Sequence, residues 1–220
     1  MSIKEAYNSW ANQYDSNNNK TRDLEAVSIR ATLENIKFDT CLEIGCGTGK
    51  NTEWLLTKAK EILAIDLSEE MLLKAKAKIK SDKVLFYQAD INKEWSFSKK
   101  HFDLIVFSLV LEHIEKLDNV FKKTIEVIVP GGFVYIGELH PFKQYTGTKA
   151  RFETEEGQQM VTCFNHHISD FTQLSEKYGF TILKINEYFD DQERISLPRI
   201  LTLLLNKKNN HKNRSYKTHL

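Results

Sequence analysis

LEIGCGTGKNT, residues 42 to 52, decides the fold of this chain, because an apolar run ends there in three alternating glycines and Trp54 and Leu55 follow directly. This order is typical of a strand that turns tightly into a helix, since glycine adopts backbone conformations that other residues avoid. The turn also lets a bound group approach the backbone closely. A dinucleotide, a nucleoside triphosphate and a nucleoside without phosphate are all bound at such turns, so the nearby acidic residues must distinguish among them.

Apolar runs and helical patterns alternate along the rest of the chain. Five runs are continuous, as expected for parallel strands buried on both faces: 40–44, 61–65, 84–87, 102–107 and 133–136. Ser68 is placed to cap the helix after the second strand, and the best amphipathic helix covers 117–128. A helix over 170–178, ending at Gly179, and strands over 180–188 and 199–205 complete the pattern. The order predicts a doubly wound α/β fold with a closing hairpin.

Composition limits the classes of partner. The 220 residues, 41% of them hydrophobic, suit one domain, and 31 basic against 30 acidic residues leave no field that would attract nucleic acid. Three cysteines without CxxC spacing argue against disulfides and structural zinc, and no apolar stretch is long enough to span a membrane. We predict a cytoplasmic protein with one domain over 1–205 and a mobile polar tail over 206–220; residues 17–19 are also interpreted as mobile surface.

The acids near the glycines narrow the ligand. The glycines do not follow the G-x-G-x-x-G pattern of dinucleotide sites, and Gly49 is not followed by the Lys-Ser/Thr of a phosphate loop. Glu43 precedes the glycines, Asp66 ends the second strand and Asp90 follows the third. Carboxylates at these strand ends would accept hydrogen bonds from an ammonium, from ribose hydroxyls and from an adenine amine. The sequence therefore predicts a ligand with an amino group, a ribose and an adenine, but no phosphate.

At this point the sequence resembles a known family. LEIGCGTGKNT, AIDLSEEML, YQADI, FDLIVFSLVLEHI and PGGFVYIG resemble, in order, the motifs of the class I S-adenosylmethionine (SAM) dependent methyltransferases. YNSWANQYD and NHHISDFTQLSEKYGF resemble the small-molecule branch that contains the ubiquinone and menaquinone biosynthesis methylases. The resemblance implies a Rossmann-like, mostly parallel seven-stranded sheet, with a helical lid over about 1–22 and a lid insertion after strand five, over 139–168.

The resemblance also implies a cofactor, SAM, and roles for single residues. Gly45 and Gly47 would approach its methionine moiety, and Glu43 would reach the ammonium through water. The remaining implied cofactor contacts are Asp66 to the ribose, Leu67 and Met71 on the adenine, Asp90 and the Ile91 amide at the adenine edge, Ser108 and Leu109 on the methionine side, and Tyr14 from the lid. Plainer alternatives stay open, since Met71 could be ordinary core and Tyr7, Trp10 and Tyr14 could dock the first helix.

Methyl transfer from SAM is an in-line displacement, so placement of the acceptor can supply much of the rate without a protein nucleophile. A hydroxyl acceptor would profit from a general base, for which His140, His113 and His167 are the candidates, with His166 beside them. Lys149 and Arg151 in the insertion could bind a substrate anion or be surface charge. We predict metal-free methylation of a small organic molecule, at oxygen in preference to nitrogen or carbon, by a monomer or homodimer. A tRNA wobble-base methyltransferase and a SAM-binding partner subunit without activity are the alternatives.

Overall fold

The computed structural model describes residues 1–97, 100–154 and 157–209. Seven α-helices lie within this part of the chain: α1 (Ile3–Trp10), α2 (Lys20–Leu33), α3 (Lys50–Leu55), α4 (Glu69–Lys78), α5 (Leu117–Val127), α6 (Pro141–Tyr145) and α7 (Ile168–Lys177). A 3₁₀ turn covers Leu111–His113. The strands are β1 (Thr40–Ile44), β2 (Glu61–Asp66), β3 (Val84–Gln88), β4 (Phe102–Ser108), β5 (Ile128–Leu139), β6 (Arg151–Thr154), β7 (Gly157–Met160), β8 (Phe180–Tyr188) and β9 (Ile200–Lys207).

The main sheet has seven strands in the order β3-β2-β1-β4-β5-β9-β8. β1 to β5 are parallel, and β9 is antiparallel to both β5 and β8. The prediction of a doubly wound, mostly parallel seven-stranded sheet with a closing hairpin is therefore confirmed. Hydrophobic clusters cover both faces, because neighbouring residues of one strand, such as Cys41 and Leu42, are both fully buried but belong to different clusters.

Two strands differ from their predicted bounds by two residues or more. β5 begins at Ile128, directly after α5, and includes the sequence Pro130-Gly131-Gly132, which lies before the predicted strand over 133–136. The pairing of β4 with β5 is irregular between Phe102 and Leu104, so a bulge accommodates Gly131 at a φ of +81°. β9 extends to Lys207, two residues beyond the predicted domain end, and the predicted tail residues 210–220 lie outside the described part of the chain.

Helix caps explain where several elements begin. Ser68 caps α4 as predicted, its Oγ accepting a hydrogen bond from the Met71 amide. Asn19, which we placed in mobile surface, instead caps α2, because its Oδ1 accepts from the amides of Thr21 and Arg22 at 3.0 and 3.1 Å. The helix it begins was not predicted, and it packs against β5 and β9.

The N-terminal segment and the insertion after β5 meet above the carboxyl edge of the sheet. Trp10 of α1 stacks on Phe152 of the β6–β7 hairpin with ring centroids 5.4 Å apart, and Met71 of α4 is buried in the same cluster. This cluster fixes the two segments predicted as lids against the ends of the central strands. Within the described residues no helix has the length and apolar character that a membrane crossing requires.

Candidate functional site

A cavity, called here the first cavity, opens at the carboxyl ends of β1, β2, β3 and β4. Its lining residues come from α1 and the turn after it, from the glycine turn, from the segments after β2 and β3, and from the 3₁₀ turn: Ile3, Tyr7, Tyr14, Ile44, Gly45, Gly47, Ile65, Asp66, Leu67, Met71, Ala89, Asp90, Ile91, Asn92, Ser108, Leu109, Val110, His113 and Ile114. The structure thus brings ten of the eleven predicted binding residues together. Glu43 is the exception.

The glycines of the turn serve two different purposes. Gly45 has a φ of +75°, and a Cβ at this position would lie 2.8 Å from two carbon atoms of Val110. Gly47 also has a positive φ, of +53°, but a Cβ there would meet nothing closer than Tyr14 at 4.0 Å. Packing within the protein therefore requires the first glycine, whereas the second leaves open space beside the cavity.

Asp66 joins the end of β2 to the glycine turn. Its Oδ2 accepts a hydrogen bond from the Gly47 amide and its Oδ1 one from the Ser68 amide, both at 2.8 Å. Burial raises the pKa of Asp66, and these backbone hydrogen bonds oppose the rise. Because each carboxylate oxygen has further acceptor capacity, Asp66 can still bind two hydroxyl groups in the cavity.

Asp90 is at the corresponding place after β3. Its Oδ1 accepts from the Asn92 amide at 2.9 Å, which holds the segment from Ala89 to Asn92 along the cavity wall. Ile91 within this segment is buried, so its side chain supplies apolar surface next to a polar edge. Such a wall suits a flat heterocycle with a hydrogen-bonding rim.

Two buried acidic residues, Glu138 and Glu25, take part in holding residues 108–111, of which 108–110 also line the first cavity. Glu138 accepts from the amides of Val110 and Leu111 at 3.0 and 2.9 Å, and Leu109 adopts a left-handed φ of 51°. Asn51 donates to both Glu25 and Ser108, at 2.9 and 3.1 Å. These contacts fix the backbone from 108 to 111, which the sequence marked only as the region after a strand.

Glu43 does not reach the first cavity. Its side chain lies under the glycine turn, where Oε2 accepts from the Thr52 hydroxyl at 2.6 Å. Burial raises its pKa to about 8, so it is mostly protonated at neutral pH. The predicted water-mediated contact between Glu43 and an ammonium stays a prediction.

One of the three candidate catalytic histidines lines the cavity. His113 Nδ1 is 2.8 Å from the carbonyl oxygen of Thr162, and its Nε2 is 2.7 Å from the hydroxyl of Tyr7. A carbonyl only accepts, so Nδ1 carries the hydrogen, Nε2 is the acceptor and Tyr7 donates to it. Burial raises the pKa of Tyr7 well above its usual value, which keeps this hydrogen on the phenol.

The other two histidines lie outside the cavity. His140 is fully buried and caps α6: its Nδ1 accepts from the Phe142 amide at 3.1 Å and its Nε2 is 3.0 Å from Glu187. His167 begins α7, and its Nδ1 is 2.6 Å from the Tyr145 hydroxyl. The structure therefore brings neither His140 nor His167 to the first cavity, because each makes its hydrogen bonds at the start of a helix, α6 or α7.

Glu112, His113 and Cys163 form a cluster in which one ligand atom from each lies within 4.8 Å of the others. Such a set has the composition of a metal site. However, burial raises the pKa of the Cys163 thiol to about 12, and His113 Nδ1 already donates to a carbonyl. The thiol is thus protonated and His113 Nδ1 is occupied by a protein acceptor, and metal-free transfer stays a prediction.

Comparison with known proteins agrees with this geometry. Residues 42–136 match the family described as "Methyltransferase domain". The chain is 24% identical to an uncharacterized methyltransferase of Emericella nidulans over 91% of this chain and 83% of that protein. It is 28% identical to a ubiquinone biosynthesis O-methyltransferase of Pelagibacter ubique over 56% of this chain and 50% of that protein. Residues 42–136 thus resemble a methyltransferase domain, and they include the glycine turn and the ends of β1 to β4.

A solved structure with the same fold holds the demethylated product of SAM. The solved N-methyltransferase NodS of Bradyrhizobium japonicum, in complex with S-adenosyl-L-homocysteine (SAH), has the same fold, with a TM-score of 0.71 at 18% identity, and covers 94% of this chain and 99% of that one. The residues of the first cavity suit a ligand without phosphate, such as SAM, since none of the described residues that line it is a lysine or arginine. A pyrophosphate would find no cation there, whereas ribose hydroxyls find Asp66.

A second cavity lies next to the first and is formed largely by the two predicted lid segments. Tyr7, Tyr14 and Leu109 line both cavities. Sequence reasoning missed Tyr7, whose spacing from Trp10 indicated only a docking face, and it missed Glu112, which lines the second cavity. The one available signal was that Glu112 and His113 directly follow the apolar run of β4, at the edge where ligands bind in this fold.

Proposed function

We propose that the protein transfers the methyl group of SAM to an oxygen of a small organic acceptor bound in the second cavity. The observation that carries the proposal is the junction of the two cavities at Tyr7, Tyr14 and Leu109. SAM supplies a methyl group on a sulfonium, which an aligned nucleophile displaces. The acceptor oxygen forms the new C–O bond, the electron pair of the broken C–S bond stays on sulfur, and the hydroxyl proton has to leave the acceptor.

Tyr7 and His113 are placed to receive that proton. Because Tyr7 donates its own hydrogen to His113 Nε2, its oxygen keeps lone pairs for the acceptor hydroxyl. As the acceptor proton moves to Tyr7, the phenol hydrogen moves to Nε2, and the imidazolium that results is held by the Thr162 carbonyl. Glu112 Oε1, 3.9 Å from Nε2, offsets the positive charge when it is ionised. Tyr7 and His113 are the catalytic residues in this proposal.

The same proposal assigns the binding roles. Asp66 holds the ribose hydroxyls, Leu67 and Met71 pack on the adenine, and Asp90 with the Ile91 amide binds its edge. Gly45, Gly47, Ser108 and Leu109 contact the methionine part, and Tyr14 covers it from the lid. Support comes from their common cavity. The chain spans 50% of the Pelagibacter relative and 59% of a relative from Haemophilus influenzae, so activity and substrate belong to the proposal rather than to the comparison.

The test is transfer itself. Purified protein is incubated with methyl-labelled SAM and a deproteinised extract of small molecules, and labelled products are identified by mass spectrometry. We expect a labelled ether or ester. Label on RNA added in parallel would favour the tRNA alternative, label on nitrogen would overturn the oxygen assignment, and tight SAH binding without any labelled product would favour a partner subunit.

A further inference from the structure

The charge on the wall of the second cavity is strongly one-sided. Five cationic side chains line it, namely Lys20, Arg22, Lys149, Arg151 and Arg199, and Glu112 is the acidic residue among the described residues on this wall. The whole sequence carries a formal charge of only +1. The cations are therefore concentrated at this cavity, and its field favours an anionic occupant.

Two of the five cations are occupied within the protein. Arg199 binds Asp190 through both Nε and Nη2, and Arg22 donates to the carbonyls of Tyr14 and Asn17. These contacts tie the start of α2 and the end of β8 to the cavity rim. Arg22 still has a buried Nε without an acceptor among the described residues.

Lys149 and Arg151 differ from these two. Arg151 is the first residue of β6, and Lys149 lies two residues before it. Both are exposed, and their side chains form no ion pair or hydrogen bond among the contacts of the described residues. Phe152, the next residue of β6, is buried against Trp10, which fixes the backbone that carries them. Two cations on a fixed strand beside an open cavity are suited to bind one oxyanion.

The inner end of the second cavity favours a hydrogen-bond donor, in contrast to the basic end, which favours an anion. Glu112 is 6% exposed, and its Oε2 has no hydrogen-bond partner within the described residues. A buried carboxyl oxygen without a donor is costly unless a ligand supplies one. Tyr7 lines this cavity as well, so a hydroxyl group of the acceptor would find acceptor atoms there.

We propose that the methyl acceptor is a two-ended small molecule, whose hydroxyl group lies at Tyr7 and Glu112 and whose carboxylate or phosphate is bound by Lys149 and Arg151. This inference rests on the proposed function and specifies its substrate class. The anion binds to the protein, and the hydroxyl group receives the methyl group. The product therefore keeps its negative charge after transfer.

The experiment measures the charge of the labelled product and the effect of removing the two cations at 149 and 151. Labelled products from the extract assay are separated by anion exchange at neutral pH, and the rate of labelling is measured against dilution of the extract for wild type and for Lys149→Gln/Arg151→Gln. The matched control, Lys74→Gln/Lys184→Gln, removes two exposed lysines that line neither cavity. SAH affinity, measured by calorimetry, reports whether each variant is folded.

We expect the product to be retained on the anion exchanger, and we expect the cavity variant to lose about 10- to 100-fold in kcat/KM, mainly through KM, with the control and SAH affinity unchanged. Loss of retention after phosphatase treatment would identify a phosphate, and retention would identify a carboxylate. A labelled product that is uncharged, or an unchanged KM in the cavity variant, would overturn the inference while leaving methyl transfer intact. Absence of any labelled small molecule would overturn both.

Discussion

Replacement of Tyr7 by phenylalanine tests the proton relay directly. The substitution removes the hydroxyl that lies 2.7 Å from His113 Nε2 but keeps the ring that stacks on Trp10 with centroids 5.7 Å apart. The path from the acceptor to the imidazole is then interrupted, while the walls of both cavities keep their shape. We therefore expect catalysis to fall more than binding does.

The magnitude follows from what the hydroxyl contributes. Positioned acid–base groups typically contribute about 10²- to 10⁴-fold in rate, and a water that replaces the phenol would restore part of this, so we expect kcat to fall by about 100-fold. His113 Nε2 also loses its donor in a buried site, which lowers the free energy of unfolding by about 1 to 3 kcal/mol. SAH affinity should stay close to that of wild type.

The assay measures initial rates of label transfer at saturating SAM, together with SAH binding by calorimetry and unfolding in denaturant. Tyr145→Phe is the matched control, because its hydroxyl is 2.6 Å from His167 Nδ1 in a similar pair that lines neither cavity. We expect the control to keep its rate. A wild-type kcat in Tyr7→Phe would refute the relay, and an equal loss of rate and SAH affinity would show that Tyr7 acts in cofactor binding instead.

Four further substitutions test the site and its surroundings. Gly45→Ala should lower the free energy of unfolding by about 2 to 5 kcal/mol in denaturant titrations, because its Cβ would meet Val110 at 2.8 Å and its φ is positive. Gly47→Ala should lower it by only about 1 to 2 kcal/mol, because its Cβ would meet nothing closer than Tyr14 at 4.0 Å. Equal losses in the two variants would contradict this reasoning. Asp66→Asn should raise the calorimetric Kd for SAM by about 10- to 100-fold, and an unchanged Kd would remove it from the binding site. Burial raises the pKa of Glu43 from 4.5 to about 8, so between these values the unfolded chain has released a proton that the folded chain keeps, and stability falls as pH rises. Glu43→Gln lacks this loss, so its stability relative to wild type should be greater at pH 8 than at pH 5, and an equal difference at both pH values would show that Glu43 is ionised in the fold.

The sheet and the cofactor side could be predicted from sequence because their information is local. Each parallel strand is a short apolar run, and its carboxyl end meets the others at one edge. Asp66 and Asp90 could thus be placed together although 24 positions separate them. The direction of the Glu43 side chain could not be predicted, because strand alternation decides it, and a residue just before the turn can point under it as easily as toward the ligand.

The histidines show a different limit. His140 and His167 stand directly before helices, where a ring nitrogen or a backbone contact completes the first turn, and in a single sequence this position looks the same as a position in a site. Asn19 was misjudged for the same reason, since a polar residue in a polar segment indicates either a cap or a loop. Only the path of the following chain distinguishes these roles.

The acceptor side depends on contacts between segments that are far apart in sequence. Tyr7 meets His113 across 106 positions, and the second cavity forms where α1, the start of α2 and the chain around β6 come together. No periodicity encodes such a meeting, because each segment alone is an ordinary amphipathic helix or polar loop. The cofactor wall is built by strands whose order is fixed by the sheet, whereas the acceptor wall is built mainly by the two lid segments. Tyr7 and Tyr14 of the N-terminal segment line both cavities, whereas Lys149 and Arg151 line only the second. We therefore expect substitutions at 149 and 151 to change the choice of acceptor without disturbing SAM.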